Sequence, residues 1–570
     1  MSRVTLVALL WIGAGCAYGP RVVSLGPDVE RPPAAAVLFL VDGLDLARFD
    51  EAIQEGRLPH IRSRFVEGGV GVDYAIASLP PITYPNLVSL LTGCFAGHHG
   101  IVGNAWFDRR RLVYQNYDSA ATYRSVNGDF SRPTVYELMA DRFTVSVQCP
   151  ARRGVTHTTD HWFNTGRNWL FHQYDHTDRR VGAKAFDVLK LADRVARWPT
   201  LWLNYFPGLD AIAHESGPES DAYREGLDRV DRAIGQILHV VDAAGMTDRT
   251  YAVLLSDHGH LTVDRRKVFD AAGWLEGGGT DTPAATRGDG RADRSRPVRV
   301  FSGRTGGDYA ERMDALNRYD VVMTNGAYRR LALHLRGARG WPYPPTADEV
   351  DRFLEQRPPL ESAPAVELIA RRAGEGCVRI DSRHGSALVQ RDGGGSAARY
   401  RVVIERGDPL HFAGDGLPLT REPVSRVDLD RFAADGWHDA EAWLAATADG
   451  RYPDFVVQIV ALFDSPRAGD ILLFAADDWT FDARFRGGHG SCLGRDMRVP
   501  MFMAGPDVPR GGRIRHARLV DVMPTLLELL NEHHRLEDAG AIDGRSRATE
   551  FRGVGSADGR RVAFGDFAIW

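Results

Sequence analysis

Short apolar runs that end at polar or turn residues recur along the chain, and they restrict its possible folds more than any other feature of the sequence. The run from Ala35 to Val41 contains no polar side chain and ends at Asp42-Gly43. An apolar run of this length is typical of a strand that is buried on both faces, as in a parallel sheet. Similar runs occur at residues 144–148, 200–206, 251–256, 471–475 and 500–504.

Helical patterns separate several of these runs. Apolar residues recur at three- and four-residue spacing from Tyr223 to Leu238, which is typical of a helix with one apolar face. A second pattern of this kind covers residues 519–530. Strands that alternate with helices predict an α/β fold, in which a central, mostly parallel sheet is sandwiched between helices.

The α/β pattern weakens after about residue 262 and resumes near residue 455. Residues 277–309 are dense in Gly, Asp and Arg, which is typical of a flexible loop, and residues 320–450 mix short strands with helix-like stretches. We therefore predict that residues 263–455 form an inserted α+β cap domain. It would interrupt a catalytic α/β domain made of residues 35–262 and 456–570.

The first residues predict export. Arg3 precedes the apolar run from Val4 to Ile12, which is too short to span a bilayer and is followed by small residues and Cys16. We predict a signal peptide over residues 1–16, a linker over 17–34 and a bacterial periplasmic or membrane-anchored protein. A lipid anchor on Cys16, ordinary signal-peptide cleavage and a disordered terminus all remain open.

Composition excludes some partners. A formal net charge of −5 and a pI of about 6.4 give no basic excess, which argues against a nucleic-acid partner. The cysteines beyond Cys16 form no C-x-x-C pair, so zinc-finger spacing is absent and any disulfide pairing cannot be deduced. Oligomeric state is also left open.

Carboxylates and histidines lie just beyond the ends of three predicted strands. Asp42 follows the first strand, Asp210 and His214 follow the strand at 200–206, and Asp257-His258 follows the strand at 251–256. In open α/β sheets, ligands bind at the carboxyl ends of the strands. We therefore expect these side chains to meet at one edge of the sheet.

His489 completes a set of six candidate metal ligands. It lies in the glycine-rich sequence GGHGS after the run at 471–475. Zinc binds histidine nitrogen and carboxylate oxygen, and two such ions can hold the attacking and the leaving oxygen of an in-line displacement. Each residue alone also has a structural interpretation, such as a helix cap for Asp42 or a turn for Asp257 to His260. The six residues together, in this chain order, are far more specific for a metal site than any one of them.

Thr83 is the candidate nucleophile. It precedes Tyr84-Pro85-Asn86 within the sequence SLPPITYPNLVSLLTG, where the proline suits the first turn of a helix. A hydroxyl at a helix N-terminus meets free backbone N–H groups and the positive end of the helix dipole, which favours a phosphate and an ionised hydroxyl. The alternative is that Thr83 merely caps the helix.

Taken in chain order, these motifs resemble the alkaline phosphatase superfamily, and most closely its type I phosphodiesterase/nucleotide pyrophosphatase branch. The resemblance rests on D-G, T-Y-P-N with L-T-G, H-G-I-V-G-N, D-x-x-x-H, S-D-H-G and G-G-H-G-S, and it covers about residues 35–262 and 455–530. It implies a hydrolase of small phosphate esters with two zinc ions per chain.

The resemblance also implies residue roles. One zinc ion would be held by Asp42, Thr83, Asp257 and His258, and the other by Asp210, His214 and His489. Asn104, in the sequence HHGIVGNAWFD, would donate a hydrogen bond to a phosphoryl oxygen. The implied reaction forms and then hydrolyses a phospho-threonine on Thr83.

Some related functions are excluded and others stay open. A sulfatase would need Cys or Ser in place of Thr83 and Arg in place of Leu87, and phosphoglycerate mutases of this superfamily use Ser and manganese. A phosphomonoesterase favours extra cations near the phosphate, for which the candidates are Arg152, Arg153 and Arg167. A phosphonate hydrolase and a catalytically inactive surface binding lipoprotein are the remaining alternatives.

Overall fold

The computed structural model describes residues 25–119, 121–159, 174–276, 298–326, 328–359, 363–412, 432, 436–482 and 484–553. The predicted signal peptide with Cys16, the start of the linker, Arg167 and much of the loop at 277–309 lie outside these residues, so those predictions stay predictions. Among the described helices, none combines the length and the apolar character that a membrane span requires. The described residues contain no disulfide bond.

The described residues form a nine-stranded central sheet. Its parallel part consists, in spatial order, of Thr250–Ser256, Ala35–Val41, Leu201–Phe206, Thr144–Val147 and His157–Thr158. The other strands are Val70–Ile76, Arg498–Val499, Met501–Ala504 and Gly512–Arg518. Met501–Ala504 runs antiparallel to its neighbour Thr250–Ser256. The predicted central, mostly parallel sheet is confirmed.

Helices cover both faces of this sheet. Along the first strand, Val37, Phe39 and Val41 belong to one hydrophobic core, whereas Leu38 and Leu40 belong to the other. Because successive side chains of a strand point to opposite faces, an uninterrupted apolar run serves both cores at once. This requirement explains why the run has no polar residue.

The helices agree with the predicted patterns. The described α-helices of six or more residues are Leu46–Gln54, Thr83–Thr92, Tyr174–Val195, Gly208–Ser216, Asp221–Ala243, Ala271–Glu276, Tyr309–Leu316, Ala347–Glu355, Ala440–Thr447, Phe455–Asp464, Val522–Leu529 and Ala548–Gly553. Asp221–Ala243 contains the predicted apolar pattern, and its buried face includes Tyr223, Leu227 and Val230. Ser220 caps this helix by accepting from the N–H of Tyr223.

A second sheet is built mainly from the predicted insert. Its described strands are Val300–Phe301, Val321–Gly326, Arg330–Leu335, Val366–Gly374, Cys377–Ser382, Gly385–Asp392, Arg399–Gly407, His438–Asp439 and Ile471–Ala475. Ile471–Ala475 lies between Arg330–Leu335 and Val366–Gly374 and is antiparallel to both. The apolar pattern of this run predicts a strand of the central sheet, and the structure corrects that assignment. An uninterrupted apolar run indicates that a strand is buried, but it does not indicate which strand will pair with it. The division into domains stays a prediction.

Two short ribbons lie outside the large sheets. Leu261–Thr262 pairs with Gly487–Gly488, and Ala105–Asp108 pairs with Val113–Asn116. The first ribbon joins the loop that follows the strand Thr250–Ser256 to the glycine-rich sequence before His489. Segments more than 200 residues apart in the chain are thereby held side by side.

His98 connects three separate segments of the fold. Its Nδ1 lies 2.8 Å from a carboxylate oxygen of Asp543, and its Nε2 lies 2.9 Å from Asp464, which also pairs with Arg391. Burial lowers the pKa of His98, but the hydrogen bonds to Asp464 and Asp543 outweigh this effect and raise the pKa to about 9. The ring is therefore a cation at neutral pH.

We expect His98 to make folding stability depend on pH above neutrality. Because its folded-state pKa exceeds the ordinary value of 6.5, its contribution is complete below pH 6.5 and is lost as the pH rises through about 9. Allowing for partial solvent screening, the loss should be about 2 kcal/mol, measured by urea unfolding at the two ends of this range. His98→Gln should remove this part of the pH dependence, whereas a change at the exposed His534 should not. An unchanged pH dependence in His98→Gln would contradict the assignment.

Candidate metal centre

Two neighbouring strands deliver the first group of predicted ligands. Asp42 directly follows Ala35–Val41, and Asp257 and His258 directly follow Thr250–Ser256. The two strands are parallel and pair over their whole length. Their carboxyl ends, and therefore these three side chains, lie together at one edge of the sheet.

Asp210 and His214 reach the same edge from a helix. Both belong to Gly208–Ser216, which begins just after Leu201–Phe206, and their spacing of four residues places them on one face of that helix. Gly43 makes room for this helix. It has a φ of 63°, and a Cβ there would lie 2.8 Å from Asp210 Oδ1. A side chain at that position would be strained and would displace the carboxylate.

Thr83 is the first residue of the helix Thr83–Thr92 and is not its cap. The capping position is occupied by Ile82, which has an extended backbone and makes no side-chain cap. The hydroxyl of Thr83 instead lies 3.2 Å from His258 Nε2. The alternative interpretation of Thr83 as a helix cap is therefore not what the structure contains.

His258 Nε2 is the meeting point of the first group. It lies 3.1 Å from Asp42 Oδ1 and 3.5 Å from Asp257 Oδ2. Its other nitrogen, Nδ1, lies 2.9 Å from the carbonyl oxygen of Gly259, which keeps Nε2 turned toward the carboxylates. Tyr205 donates its hydroxyl hydrogen to the second oxygen of Asp42.

Several carboxylate oxygens at this edge are poorly compensated. Asp210 Oδ1 and Asp257 Oδ2 are buried without a hydrogen-bond partner among the described residues, and Asp42 Oδ1 shares one nitrogen, His258 Nε2 at 3.1 Å, with Asp257 and Thr83. Burial and the charge of Asp42 raise the pKa of Asp257 well above its usual range. Burial lowers the pKa of His258, but Asp257 and Asp42 raise it to about 10. Buried negative charge that exceeds the available donors is an environment that a divalent cation satisfies.

Asp210 is the centre of the second group. His214 Nε2 lies 3.4 Å from Asp210 Oδ2, and His489 Nε2 lies 3.7 Å from Asp210 Oδ1. The Nδ1 atoms of these two rings face the carbonyl oxygens of Gly487, at 3.0 Å, and Pro81, at 2.9 Å. Contacts of this kind fix the orientation of histidines that bind metals.

His260 also lies in the second group, although the sequence analysis treats it only as part of a turn. Its side chain is fully buried, and its Nε2 lies 3.4 Å from Asp210 Oδ1. Burial lowers the pKa of His260 to about 4, so the imidazole is neutral. Its place two residues after His258 is the only sequence signal, and that spacing does not separate a ligand from a turn residue.

The two groups are contiguous. One set of ligand atoms within 4.8 Å of one another comes from Asp210, His214, His260 and His489, and another comes from Asp42, Asp210 and His258. Asp210 belongs to both sets, and the rings of His258 and His489 stack with their centroids 3.5 Å apart. The residues present therefore form two adjoining groups of ligand atoms that could hold metal, and the number of ions stays a prediction.

Asn104 lies beside the candidate nucleophile. Its Oδ1 accepts from the backbone N–H of Tyr84 at 3.1 Å, and Tyr84 directly follows Thr83 in the chain. Asn104 also makes a side-chain hydrogen bond with Asp118, so its amide group is held in one orientation. The predicted contact with a phosphoryl oxygen is compatible with this position and stays a prediction.

Two aromatic rings lie next to the second group of ligands. The rings that directly follow the motif of Asn104 in the chain, Trp106 and Phe107, are instead buried in hydrophobic cores. The two rings beside the ligands, Tyr328 and Phe485, flank His214 with centroid distances of 5.3 and 5.4 Å. Sequence reasoning missed Tyr328 because it belongs to the predicted insert, far from every recognised motif.

Asn86 fixes the loop that precedes Thr83. Its Nδ2 faces the carbonyl oxygens of Ser78, Pro80 and Ile82 at 3.0 to 3.1 Å, and its Oδ1 accepts from the N–H of Ser78 at 2.7 Å. The side chain is completely buried. One amide thus satisfies most of the polar backbone of the loop.

A buried chain of polar contacts supports the same loop from behind. Gln458 accepts from the N–H of Leu79 at 2.6 Å and donates to the carbonyl of Ala77 at 3.2 Å. Gln458 also donates to Asp454, which forms a two-point ion pair with Arg518 at 2.6 and 2.8 Å. The position of Thr83 is therefore set from both sides of its loop.

We expect Asn86→Asp to destabilise the fold strongly. The substitution keeps the shape of the side chain but removes its donor and places a buried carboxyl group against three carbonyl oxygens. The expected loss in the free energy of unfolding is about 3–5 kcal/mol, measured by urea denaturation. Asn116→Asp is the matched control, because Asn116 accepts from the N–H of Asp118 and a carboxylate keeps that role. Equal losses in the two variants would contradict the proposed role of Asn86.

Comparison with known sequences relates this chain to one family of hydrolases. The family described as type I phosphodiesterase / nucleotide pyrophosphatase matches residues 36–345. An uncharacterized pyrophosphatase/phosphodiesterase of Schizosaccharomyces pombe is 27% identical over 233 residues, which are 40% of this chain and 46% of that protein. The bis(5'-adenosyl)-triphosphatase of Bos taurus is 23% identical over 254 residues, which are 44% of this chain and 53% of that protein. The chain thus spans about half the length of these relatives.

Comparison with solved structures concerns the fold. Murine ectonucleotide pyrophosphatase / phosphodiesterase 5, solved as an inactive variant in complex with AMP, has a TM-score of 0.50 and 14% sequence identity. The match covers 91% of this chain and 99% of the murine one. At this identity the likeness establishes a shared architecture and nothing about ligands.

Proposed function

The chain belongs to the type I phosphodiesterase / nucleotide pyrophosphatase family, and from this premise we propose that it hydrolyses phosphoric diesters or pyrophosphates through a phospho-threonine on Thr83. Two zinc ions would take part. One would be held by Asp42, Thr83, Asp257 and His258, and the other by Asp210, His214 and His489. The substrate would be a small phosphate ester.

The convergence of one hydroxyl with unsatisfied carboxylates carries this proposal. Thr83 Oγ1 and Asp42 Oδ1 lie 3.2 and 3.1 Å from the same nitrogen of His258. A threonine that only served the fold would have no reason to lie among buried, uncompensated negative charges. A threonine that is to be ionised by a cation needs this position.

The residues have distinct tasks in the proposed reaction. Bound divalent cations would withdraw charge from the phosphoryl group and favour the ionised hydroxyl. The oxygen of Thr83 forms a bond to phosphorus while the bond from phosphorus to the leaving oxygen breaks. In the second step a water oxygen bonds to phosphorus, the bond to Thr83 breaks, and the threonine oxygen regains a proton. The amide of Asn104 donates to a non-bridging oxygen in both steps.

Two observations favour a diester or pyrophosphate over a monoester. A monoester carries more negative charge, yet Arg153, one candidate for binding it, lies in an ion pair with Glu137 and stacks over Phe130. The relatives are named pyrophosphatases and phosphodiesterases, and one is named a bis(5'-adenosyl)-triphosphatase. We therefore infer a nucleotide-like substrate. Phosphomonoesters and phosphonates are the alternatives that a substrate panel would reveal.

An inactive surface binding protein is the alternative of another class. The intact donor set argues against it, because a scaffold without catalysis has no need to keep three buried carboxylates beside four histidines. Measured metal content and turnover of bis-p-nitrophenyl phosphate separate the two. We also propose that residues 1–16 direct export, followed either by lipid anchoring through Cys16 or by ordinary signal-peptide cleavage.

We expect Thr83→Ala to abolish turnover while both metal ions remain bound. Loss of a nucleophile lowers kcat by a factor on the order of 10³ or more, measured with bis-p-nitrophenyl phosphate. Thr92→Ala, at the other end of the same helix, should retain activity. The hydroxyl of Thr92 donates to the carbonyl oxygen of Val88 and accepts from the N–H of Cys94, both close to it in the chain. Near-normal turnover in Thr83→Ala would overturn the nucleophile assignment.

We expect His489→Ala to lose about one metal ion per chain. The ring lies against Asp210 and His258, so its removal opens one of the two ion sites. Metal content after gel filtration, measured by mass spectrometry, gives the result. His534→Ala is the control, because that side chain is 64% exposed. Equal metal content in both variants would remove His489 from the ligand set.

A further inference from the structure

His260 is a buried imidazole for which the protein supplies no good partner. The side chain is fully buried, and neither ring nitrogen has a hydrogen-bond partner among the described residues. By contrast, the Nδ1 atoms of His214, His258 and His489 each face a backbone carbonyl oxygen. Buried polar atoms without partners are rare, so each one requires an explanation.

The free nitrogen of His260 is aimed into the second group of ligands. Its Nε2 lies 3.4 Å from Asp210 Oδ1, an oxygen that is itself buried without a partner. The ring centroid lies 4.7 Å from that of His214 and 5.4 Å from that of His489. Three imidazoles therefore surround one carboxylate.

The spacing fits a shared ion better than a direct hydrogen bond. An N–H···O bond most often has a length of about 2.9–3.0 Å, which is clearly shorter than 3.4 Å. Two donors that are each about 2.1 Å from a tetrahedral ion lie about 3.4 Å apart. His214 Nε2 has the same 3.4 Å distance to Asp210.

The backbone fixes the ring in this position. His260 directly precedes the ribbon strand Leu261–Thr262, which pairs with Gly487–Gly488. A Cβ on Gly487 would lie 2.3 Å from the carbonyl oxygen of Ala213 and 2.5 Å from His260 Cε1, so the absence of a side chain at Gly487 lets the ribbon pack closely against both residues.

We propose that His260 is a fourth protein ligand of the second metal ion, together with Asp210, His214 and His489. This inference rests on the proposed function, which supplies the ion. The second ion would then have four protein donors, as many as the four that we propose for the ion beside Thr83.

The first test is a crystal structure of the zinc-loaded wild-type protein. We expect His260 Nε2 at about 2.0–2.1 Å from the ion that Asp210 also binds. An ion bound by Asp210, His214 and His489 with His260 Nε2 beyond about 3 Å would overturn this inference and leave the proposed function intact. Absence of bound metal at both groups would instead contradict the proposed function.

The second test separates a ligand from a residue that only orients Asp210. His260→Leu should weaken binding of one ion by more than about 100-fold, beyond the range for outer contacts of metal ligands. His260→Gln, which can still donate to Asp210, should not restore the affinity or the visible absorption spectrum of the Co²⁺-substituted protein. Full rescue by His260→Gln would make His260 a positioning residue and overturn the proposal.

His334→Leu is the matched control. His334 is also fully buried, with no hydrogen-bond partner at either ring nitrogen among the described residues. It lies in the strand Arg330–Leu335 of the second sheet and packs against Phe107 of the ribbon strand Ala105–Asp108. Its removal should leave metal affinity and the Co²⁺ spectrum unchanged. Metal loss in His334→Leu equal to that in His260→Leu would show a general effect of removing a buried histidine and would overturn the proposal.

Discussion

Buried negative charge at the edge of the central sheet is the constraint on which the rest of the structure depends. Asp210 and Asp257 each have a buried carboxylate oxygen without a hydrogen-bond partner among the described residues, and Asp42 shares the single nitrogen His258 Nε2 with Asp257. Isolated buried carboxylates are strongly unfavourable, so they either bind protons or gather cations. The raised pKa of Asp257 favours its protonated form. The surrounding histidines, whose rings are oriented by backbone carbonyls, can bind a cation.

Holding these charges together requires rigid support from distant parts of the chain. Arg329 and Asp496 form a completely buried ion pair at 3.2 Å. The backbone carbonyl of Asp496 accepts from Gly259, and its carboxylate accepts from Ser491, so one residue fixes the loops on both sides of the site. Breaking such a buried pair is costly because it leaves an uncompensated charge. The same ion pair therefore supports the loops on both sides of the candidate metal centre.

The connection between two strands of the second sheet, Val321–Gly326 and Arg330–Leu335, contributes directly to the site. Tyr328 forms an isolated bridge with His489, and its ring packs against His214 and, at a centroid distance of 4.6 Å, against Phe485. The region predicted to be an insert therefore supplies a wall of the site as well as a separate sheet. Tyr328 and Phe485 thus form one aromatic surface beside His214, built from two distant parts of the chain.

The sequence by itself determined the α/β class, the parallel strands and the seven side chains that meet at the sheet edge, because strands such as Ala35–Val41 are uniformly apolar and their carboxyl ends share one edge. Only the tertiary structure decided that Ile471–Ala475 belongs to the second sheet and that His260 and Tyr328 join the site. The reason is physical: apolar periodicity records how deeply a residue is buried, whereas the choice of neighbour depends on contacts between segments that local sequence does not encode.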